Sequence, residues 1–341
     1  MEVKTKRIII GCCTILIIIL MIIFVDYKTL FDNLKEISML GIFLFCLTYT
    51  VAFIFRTYKL KLVFRGINLD PKYFTIYGSI GTGWAINELT PAKIGDLAKM
   101  EYIHQKEANF PLSKCACAVL IERFIDLIIL FSITCFTLIL IYISDIAYST
   151  ELNIQFFIMI GSVIILGGFI ALLILFFKTE AVLNVIEKIS PKFRNFIEKF
   201  LIRFVDGMKD FRNDKKRIMW VFLLNIPTWF FESLTLVILF YLAGYNINFF
   251  IIILAQILTF FTKTIPITPG GWGISEIAGA TLISIFYPLT LSFENILSIF
   301  ILDHILRIVY VFIYGGISTI AINFKYRELD IKNLGDNSNK I

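Results

Sequence analysis

Thr90-Pro91-Ala92-Lys93-Ile94-Gly95 and Thr268-Pro269-Gly270-Gly271-Trp272-Gly273 spell the same T-P-x-x-x-G phrase, once in each half of a very apolar chain. Proline cannot continue a helical hydrogen-bond ladder, so each phrase marks a break. About eight residues into the long apolar helix expected after each copy comes a cluster of charges. After the first copy it is Glu122, Arg123 and Asp126; after the second it is Asp303, His304 and Arg307. Broken helices facing charged helices are how a membrane protein builds a polar site inside the bilayer. The pattern points to a transporter or flippase.

Apolar residues make up 58% of the chain and charged ones only 17%, far from soluble usage. Six stretches are apolar enough to cross a bilayer, which takes roughly 20 residues. They are Ile8–Val25, Met39–Phe55, Cys115–Ile143, Ile154–Phe177, Ile218–Tyr241 and Ile296–Ile322. The first follows Lys4, Lys6 and Arg7 without a small-residue cleavage site, which reads as a retained signal anchor. Cys12, Cys13, Cys46, Cys115, Cys117 and Cys135 all lie in or beside apolar segments with no C-x-x-C spacing. They read as small buried hydrophobes, and neither a metal nor another cofactor is expected.

Basic residues sort by side when the amino terminus is placed inside. Segments 1–7, 56–114, 178–217 and 323–341 then hold 27 Lys and Arg, against 2 (Lys28 and Lys35) in the outer 26–38 connection. Basic loops resist translocation, so both termini are expected in the cytoplasm of a cell-membrane protein. The net charge of +6 follows from this topology, and no nucleic-acid partner is needed to explain it. In the 178–217 connector, apolar residues recur at helical spacing on both sides of Ser190-Pro191. Two amphipathic helices on the anionic inner leaflet, or a linker packed on the bundle, both fit that pattern.

Segments 66–114 and 244–295 are partly apolar and broken by Pro and Gly. In the first, a short helix over Tyr73–Leu89, interrupted at Gly78, Gly81 and Gly83, is followed by Ala92–Glu107. In the second, Phe249–Thr264 and Ile274–Tyr287 flank a break from Pro266 to Gly273. Two re-entrant or broken hairpins are expected, the second alternatively being two short spans. With three spans and one hairpin each, half 1–143 and half 154–322 would run in opposite senses. The expected fold is therefore a single all-α polytopic membrane domain: six spans plus two hairpins in an inverted repeat, with a cytoplasmic tail at 323–341.

Glu122 and Asp126 share a helix face bordered by Arg123, and Asp303 and Arg307 share another beside His304. Charges inside spans cost at least about 2.5–3.5 kcal/mol each, so they should face the bundle and pair. They either lock the bundle or line a substrate path. The inverted repeat predicts pairing of Arg123 with Asp303, or of Arg307 with Glu122 or Asp126. Lys263 stands just before the Pro-Gly-Gly break, where the N–H groups of Gly271 to Gly273 open the next helix and favour an anion. It reads either as a phosphate seat or as a partner of Glu276 or another carboxylate.

At these residues the chain resembles the transmembrane region of the lysylphosphatidylglycerol synthase family, the flippase-like integral membrane proteins. Asn87-Glu-Leu-Thr-Pro91-Ala-Lys93-Ile-Gly95-Asp96-Leu-Ala-Lys99 follows the family's N-x-x-x-P-x-R/K-x-G-D/E-x-x-R phrase. Glu122-Arg123-Phe-Ile-Asp126 follows E-R-x-x-D, and Pro269-Gly270-Gly271-Trp-Gly273-Ile-Ser-Glu276 follows P-G-G-x-G-x-x-E. Lys99 departs from the family's usual Arg, which alone could hold a phosphate with two prongs. The resemblance implies a lipid-translocating core without an aminoacyl-transferase domain, for which the 19 residues after the last span leave no room.

The leading expectation is a flippase for an anionic lipid, an aminoacyl-phospholipid or a polyprenyl-phosphate-linked sugar. Its candidate substrate-binding residues are Lys93, Asp96, Lys99, Glu122, Arg123, Asp126, Lys263, Gly270, Gly271, Glu276, Asp303 and Arg307. No nucleotide-binding G-x-x-x-x-G-K-[ST] phrase is present, so a gradient or a downstream reaction would drive transport. A non-catalytic subunit partnering a lipid- or glycan-modifying enzyme is the alternative. An intramembrane transferase is a third reading; Ser275 and His304 lack the G-x-S-x-G context, and no enzyme is expected.

Overall fold

A computed structural model describes residues 27–90, 94–107, 110–143, 167, 170, 210–211, 213–263, 268–287 and 291–321. The expected span Ile8–Val25, all of Ile154–Phe177 but residues 167 and 170, most of the 178–217 connector and the tail lie outside the described residues. Within them the protein is all helix. The helices are α1 (Tyr27–Glu36), α2 (Met39–Gly66), α3 (Tyr73–Leu89), α4 (Gly95–Lys106), α5 (Leu112–Ile143), α6 (Lys215–Leu242), α7 (Phe249–Thr262), α8 (Ile274–Phe286) and α9 (Phe293–Ala321). A 3₁₀ turn, Pro269–Gly271, precedes α8.

Four helices, α2, α5, α6 and α9, are long and apolar enough to span a membrane. At 28 to 32 residues they run roughly 42–48 Å, against about 30 Å of hydrocarbon. Ser38 caps α2 by accepting the Gly41 N–H at 3.2 Å, and Asp214 caps α6 by accepting the Arg217 N–H at 2.9 Å. Their outward faces are apolar, with Leu40, Phe43 and Leu47 on α2 and Ile313, Ile317 and Ile320 on α9 all exposed. Exposing such faces to water is unfavourable, so they suit a lipid environment.

The second span does not end at Phe55 as its apolar run suggested. It continues to Gly66, because Arg56 and Lys59 find partners inside the bundle and need not leave it. Both were counted above among the cytoplasmic basic residues, as was Lys99, which is also buried. The basic asymmetry survives without these three. At the end of α2, Arg65 grips Asp70 with two bonds of 3.0 and 3.1 Å, holding that carboxyl below its usual range.

Helices α3 and α4 pack as a hairpin, and so do α7 and α8. Glu107, after α4, accepts from the Lys72 N–H and the Thr75 hydroxyl at the start of α3, which ties the first hairpin's base. The Tyr287 hydroxyl accepts from the Asn248 N–H and ties the second. The expected interruptions at Gly78, Gly81 and Gly83 are absent: α3 is continuous, and its glycines are points of close approach. A Cβ on Gly95 would fall 1.8 Å from the Gly83 carbonyl oxygen, and one on Gly315 would fall 2.5 Å from that of Gly81. The first approach closes the hairpin, and the second lets α9 run along α3. Helix α2 lies along α6, α5 packs on α7, and the 3₁₀ turn of the second hairpin touches α3 of the first.

Candidate functional site

The bundle's centre is an ion-pair network drawn from five helices. Helix α2 supplies Arg56 and Lys59, α4 Asp96 and Lys99, α5 Glu122, Arg123 and Asp126, α6 Glu232, and α9 Asp303 and Arg307. Carbonyls, water or lipid could not compensate these charges as well as one another, so they converge. Lys59 bonds Asp126 and reaches Asn225 Oδ1 at 3.1 Å, with Glu122 at 3.7 Å. Lys99 bonds Glu122 at 2.7 Å and lies 3.5 Å from Asp96. Arg123 holds Asp96 with two parallel bonds of 2.8 and 2.7 Å and stands 3.6 Å from Asp126.

Arg56 joins this group to the second half. It lies 2.5 Å from Glu232 and 3.8 Å from Asp126, with Trp84 and Trp229 stacked on it at 5.0 and 5.4 Å. Beyond Glu232, Arg307 bonds Asp303 at 2.6 Å, the Thr235 hydroxyl at 2.5 Å and the Glu232 carbonyl at 3.0 Å. Tyr49 covers it at 5.0 Å. The expected direct pairs, Arg123 with Asp303 and Arg307 with Glu122 or Asp126, are not made among the described residues. Arg123 instead pairs with Asp96 and Arg307 with Asp303, each within its own half, and the chain Asp126–Arg56–Glu232–Arg307 connects the two groups.

Five cations face five carboxylates here, so the network as a whole is neutral. Five buried side-chain atoms among the described residues lack a hydrogen-bond partner: Arg56 Nη1, Trp84 Nε1, Trp229 Nε1, Glu122 Oε1 and Asp126 Oδ2. All five belong to the network or to the rings stacked on Arg56. Three of them are donors gathered about one guanidinium.

A second cluster lies where the two hairpins meet α9. His304 bonds Glu276 through Nδ1 and Glu88 through Nε2 at 3.0 Å, with Trp272 stacked on its ring at 4.4 Å. Glu276 also accepts the Gly273 N–H and the Ser275 hydroxyl, each at 2.6 Å. Gly273, at φ 81°, makes that turn possible. Gly270, at φ 61°, lies so close to Glu88 that a Cβ there would meet its carboxylate at 2.6 Å.

The anion seat read from the second break is therefore already filled. The Gly271 and Trp272 N–H groups bond Thr268 and Pro269 carbonyls, and Glu276 takes the Gly273 N–H. Lys263 follows α7 with its stem against Gly271, and no described carboxylate lies within 4 Å of it. Lys93 lies outside the described residues. Of the other expected residues, Asp96, Lys99, Glu122, Arg123 and Asp126 share the network with Asp303 and Arg307, whereas Glu276, Gly270, Gly271 and Lys263 gather at the hairpin tips.

Arg56, Lys59, Glu88 and Glu232 went unnoticed in the sequence. Glu232 alone had a visible signal, a single carboxylate inside an apolar helix. Arg56 and Lys59 were hidden at the edge of an apolar run, where snorkelling to the surface is the ordinary fate of a basic residue.

The family profile of the lysylphosphatidylglycerol synthase TM region matches residues 8–315. A UPF0104 membrane protein of Methanocaldococcus jannaschii is similar to this chain, 28% identical over 232 residues, covering 68% of this chain and 92% of the relative.

Proposed function

The chain belongs to the lysylphosphatidylglycerol synthase TM-region family, and from that premise we propose that it is a flippase for an anionic lipid in the cell membrane. The observation that carries this reading is the buried network, where unpartnered donors of Arg56, Trp84 and Trp229 gather among interleaved charges. A structural lock would leave such donors satisfied, since each orphan costs about 1–3 kcal/mol. A phosphate-bearing headgroup offers acceptors for all three. Lys59, Lys99, Arg123 and Arg307 would exchange their carboxylate partners for its oxygens as it passes, and the hairpins would open the path.

On this reading the two halves form an inverted repeat with re-entrant hairpins. Its support is that the packing recurs: α3 lies on α9 as α7 lies on α5, and α4 meets α5 as α8 meets α9. Arg56 and Glu232, each the eighteenth residue of its helix, pair across the axis relating α2 to α6. With both termini in the cytoplasm, the Asn33–Ser298 bond of 2.6 Å falls at the outer end of the bundle and the 2.8 Å bond from Arg217 to the Arg65 carbonyl at the inner end.

The test is reconstitution into vesicles bearing fluorescent phosphatidylglycerol, followed by quenching of the outer leaflet. Protein should expose inner-leaflet phosphatidylglycerol to the quencher faster than phosphatidylcholine with the same label. Loss at the rate of empty vesicles for both lipids would refute the reading.

A further inference from the structure

The cluster around His304 requires one proton more than two carboxylates and a neutral imidazole carry. Both ring nitrogens face carboxylate oxygens, one on Glu276 and one on Glu88. A carboxylate only accepts, and a neutral imidazole carries a single N–H. Both contacts are hydrogen bonds only when the trio holds an extra proton. Glu276 is engaged as an acceptor by Gly273 and Ser275 as well, so the ring is the natural carrier. Lys263, just after α7, stands within electrostatic reach of all three groups, whereas Asp303 on His304's own helix turns away to Arg307. An imidazolium and Lys263 together neutralise the two carboxylates. Without the proton, a nitrogen lone pair faces a carboxylate oxygen and the contact is repulsive.

The other half makes the same contact with a group that never titrates. Arg123 and His304 are each the second residue of their cluster. Each bonds a carboxylate in the first turn of the helix leaving its hairpin's break, Asp96 at the start of α4 and Glu276 at the start of α8. The first tie does not answer to protons, because a guanidinium stays charged. The second can be released, because an imidazole, unlike a guanidinium, can give up its charge with a proton. It joins three elements at once: α3 of the first hairpin, α8 of the second and α9.

We propose that His304 is the binding site for a proton that travels as the co-substrate of transport, tying the two hairpins together while bound and freeing them when it leaves. The inference deepens the flippase reading and rests on it for the identity of the cargo. The only bond made and broken is an N–H bond of the ring. The proton arrives from water on one face of the membrane and departs to water on the other.

Two measurements test it. In the first, spin labels at Leu89→Cys and Ile277→Cys, exposed neighbours of Glu88 and Glu276, report the distance between the hairpins in vesicles. The native cysteines are replaced by Ala. Between about pH 5 and pH 9, which brackets histidine titration, the labels should move from one narrow distance to a longer, broader distribution. His304→Arg should hold the short distance throughout. A distribution in the His304 protein that ignores pH overturns the proposal, whatever the lipid assay shows. In the second, vesicles with an imposed pH gradient should translocate fluorescent phosphatidylglycerol several-fold faster than vesicles whose gradient is collapsed by a protonophore. Translocation that proceeds equally in both would leave the flippase reading standing and remove the proton from it. Absence of any translocation would refute the flippase reading and with it the proton's role as co-substrate.

Discussion

Replacing Arg56 by Met puts the link between the two halves to the test. Arg56 lies 2.5 Å from Glu232 and both side chains are buried. Without the guanidinium, the nearest cation to Glu232 is Arg307 at 3.7 Å, already committed to Asp303. Asp126 loses less, because Lys59 and Arg123 remain. The cost is therefore that of one stranded carboxylate, about 3–5 kcal/mol for a buried pair broken on one side. Glu232→Met should cost about as much, since Arg56 would keep only Asp126 at 3.8 Å while remaining in low dielectric. The double variant strands neither charge, and its loss should fall short of the sum by roughly 1–3 kcal/mol. Thermal unfolding in detergent, followed by tryptophan fluorescence, measures all three; Trp84 and Trp229, 5.0 and 5.4 Å from Arg56, bring the signal to this site. Arg56→Lys keeps the charge but not the planar stacking, and should lie between wild type and Arg56→Met. Strictly additive losses would show that Arg56 and Glu232 do not depend on each other, and the connection between the clusters would have to be abandoned.

Gly95→Ala should destabilise by about 1–3 kcal/mol or prevent folding, because its methyl would meet the Gly83 carbonyl at 1.8 Å. Gly316→Ala, with nothing within 4 Å, should stay within about 0.5 kcal/mol of wild type in the same melts. Arg123→Met should lose more stability than Arg123→Lys, which keeps a charge for Asp96 but not the two-pronged grip; equal losses would assign the grip no value. Glu107→Ala should cost about 1 kcal/mol and speed amide exchange at the start of α3, where it removes the acceptor for Lys72 and Thr75.

The hairpins were legible because Thr90-Pro91 and Thr268-Pro269 interrupt apolar runs, and α3 ends at Leu89 and α8 begins only after Gly273. The charged faces of α5 and α9 were legible for a similar reason: Glu122-Arg123-Asp126 and Asp303-His304-Arg307 stand deep in apolar sequence. Their partners were not. A helical face shows which residues point the same way but not which helix meets it, so Arg123 was matched to Asp303 although Asp96 is its partner. Lys59 looked like the start of a loop, since its burial depends on Asp126 and Asn225, which lie 67 and 166 residues away. The glycines of α3 misled for the opposite reason. Propensity reads them as weak points in a helix, whereas a crowded bundle uses them to bring backbones together.

The partition of charges between the halves bears on how the protein is made. Synthesis delivers Arg56 to the membrane long before Glu232, and Glu88 long before His304. Within the first half, Lys59, Lys99 and Arg123 can settle on Asp96, Glu122 and Asp126 at once. What waits is one cation, Arg56, and one anion, Glu88. The second half brings their partners, Glu232 for the first and His304 for the second. The charges that the early half gives to the two clusters thus sum to zero, and Arg56 and Glu88 present opposite signs to the late half.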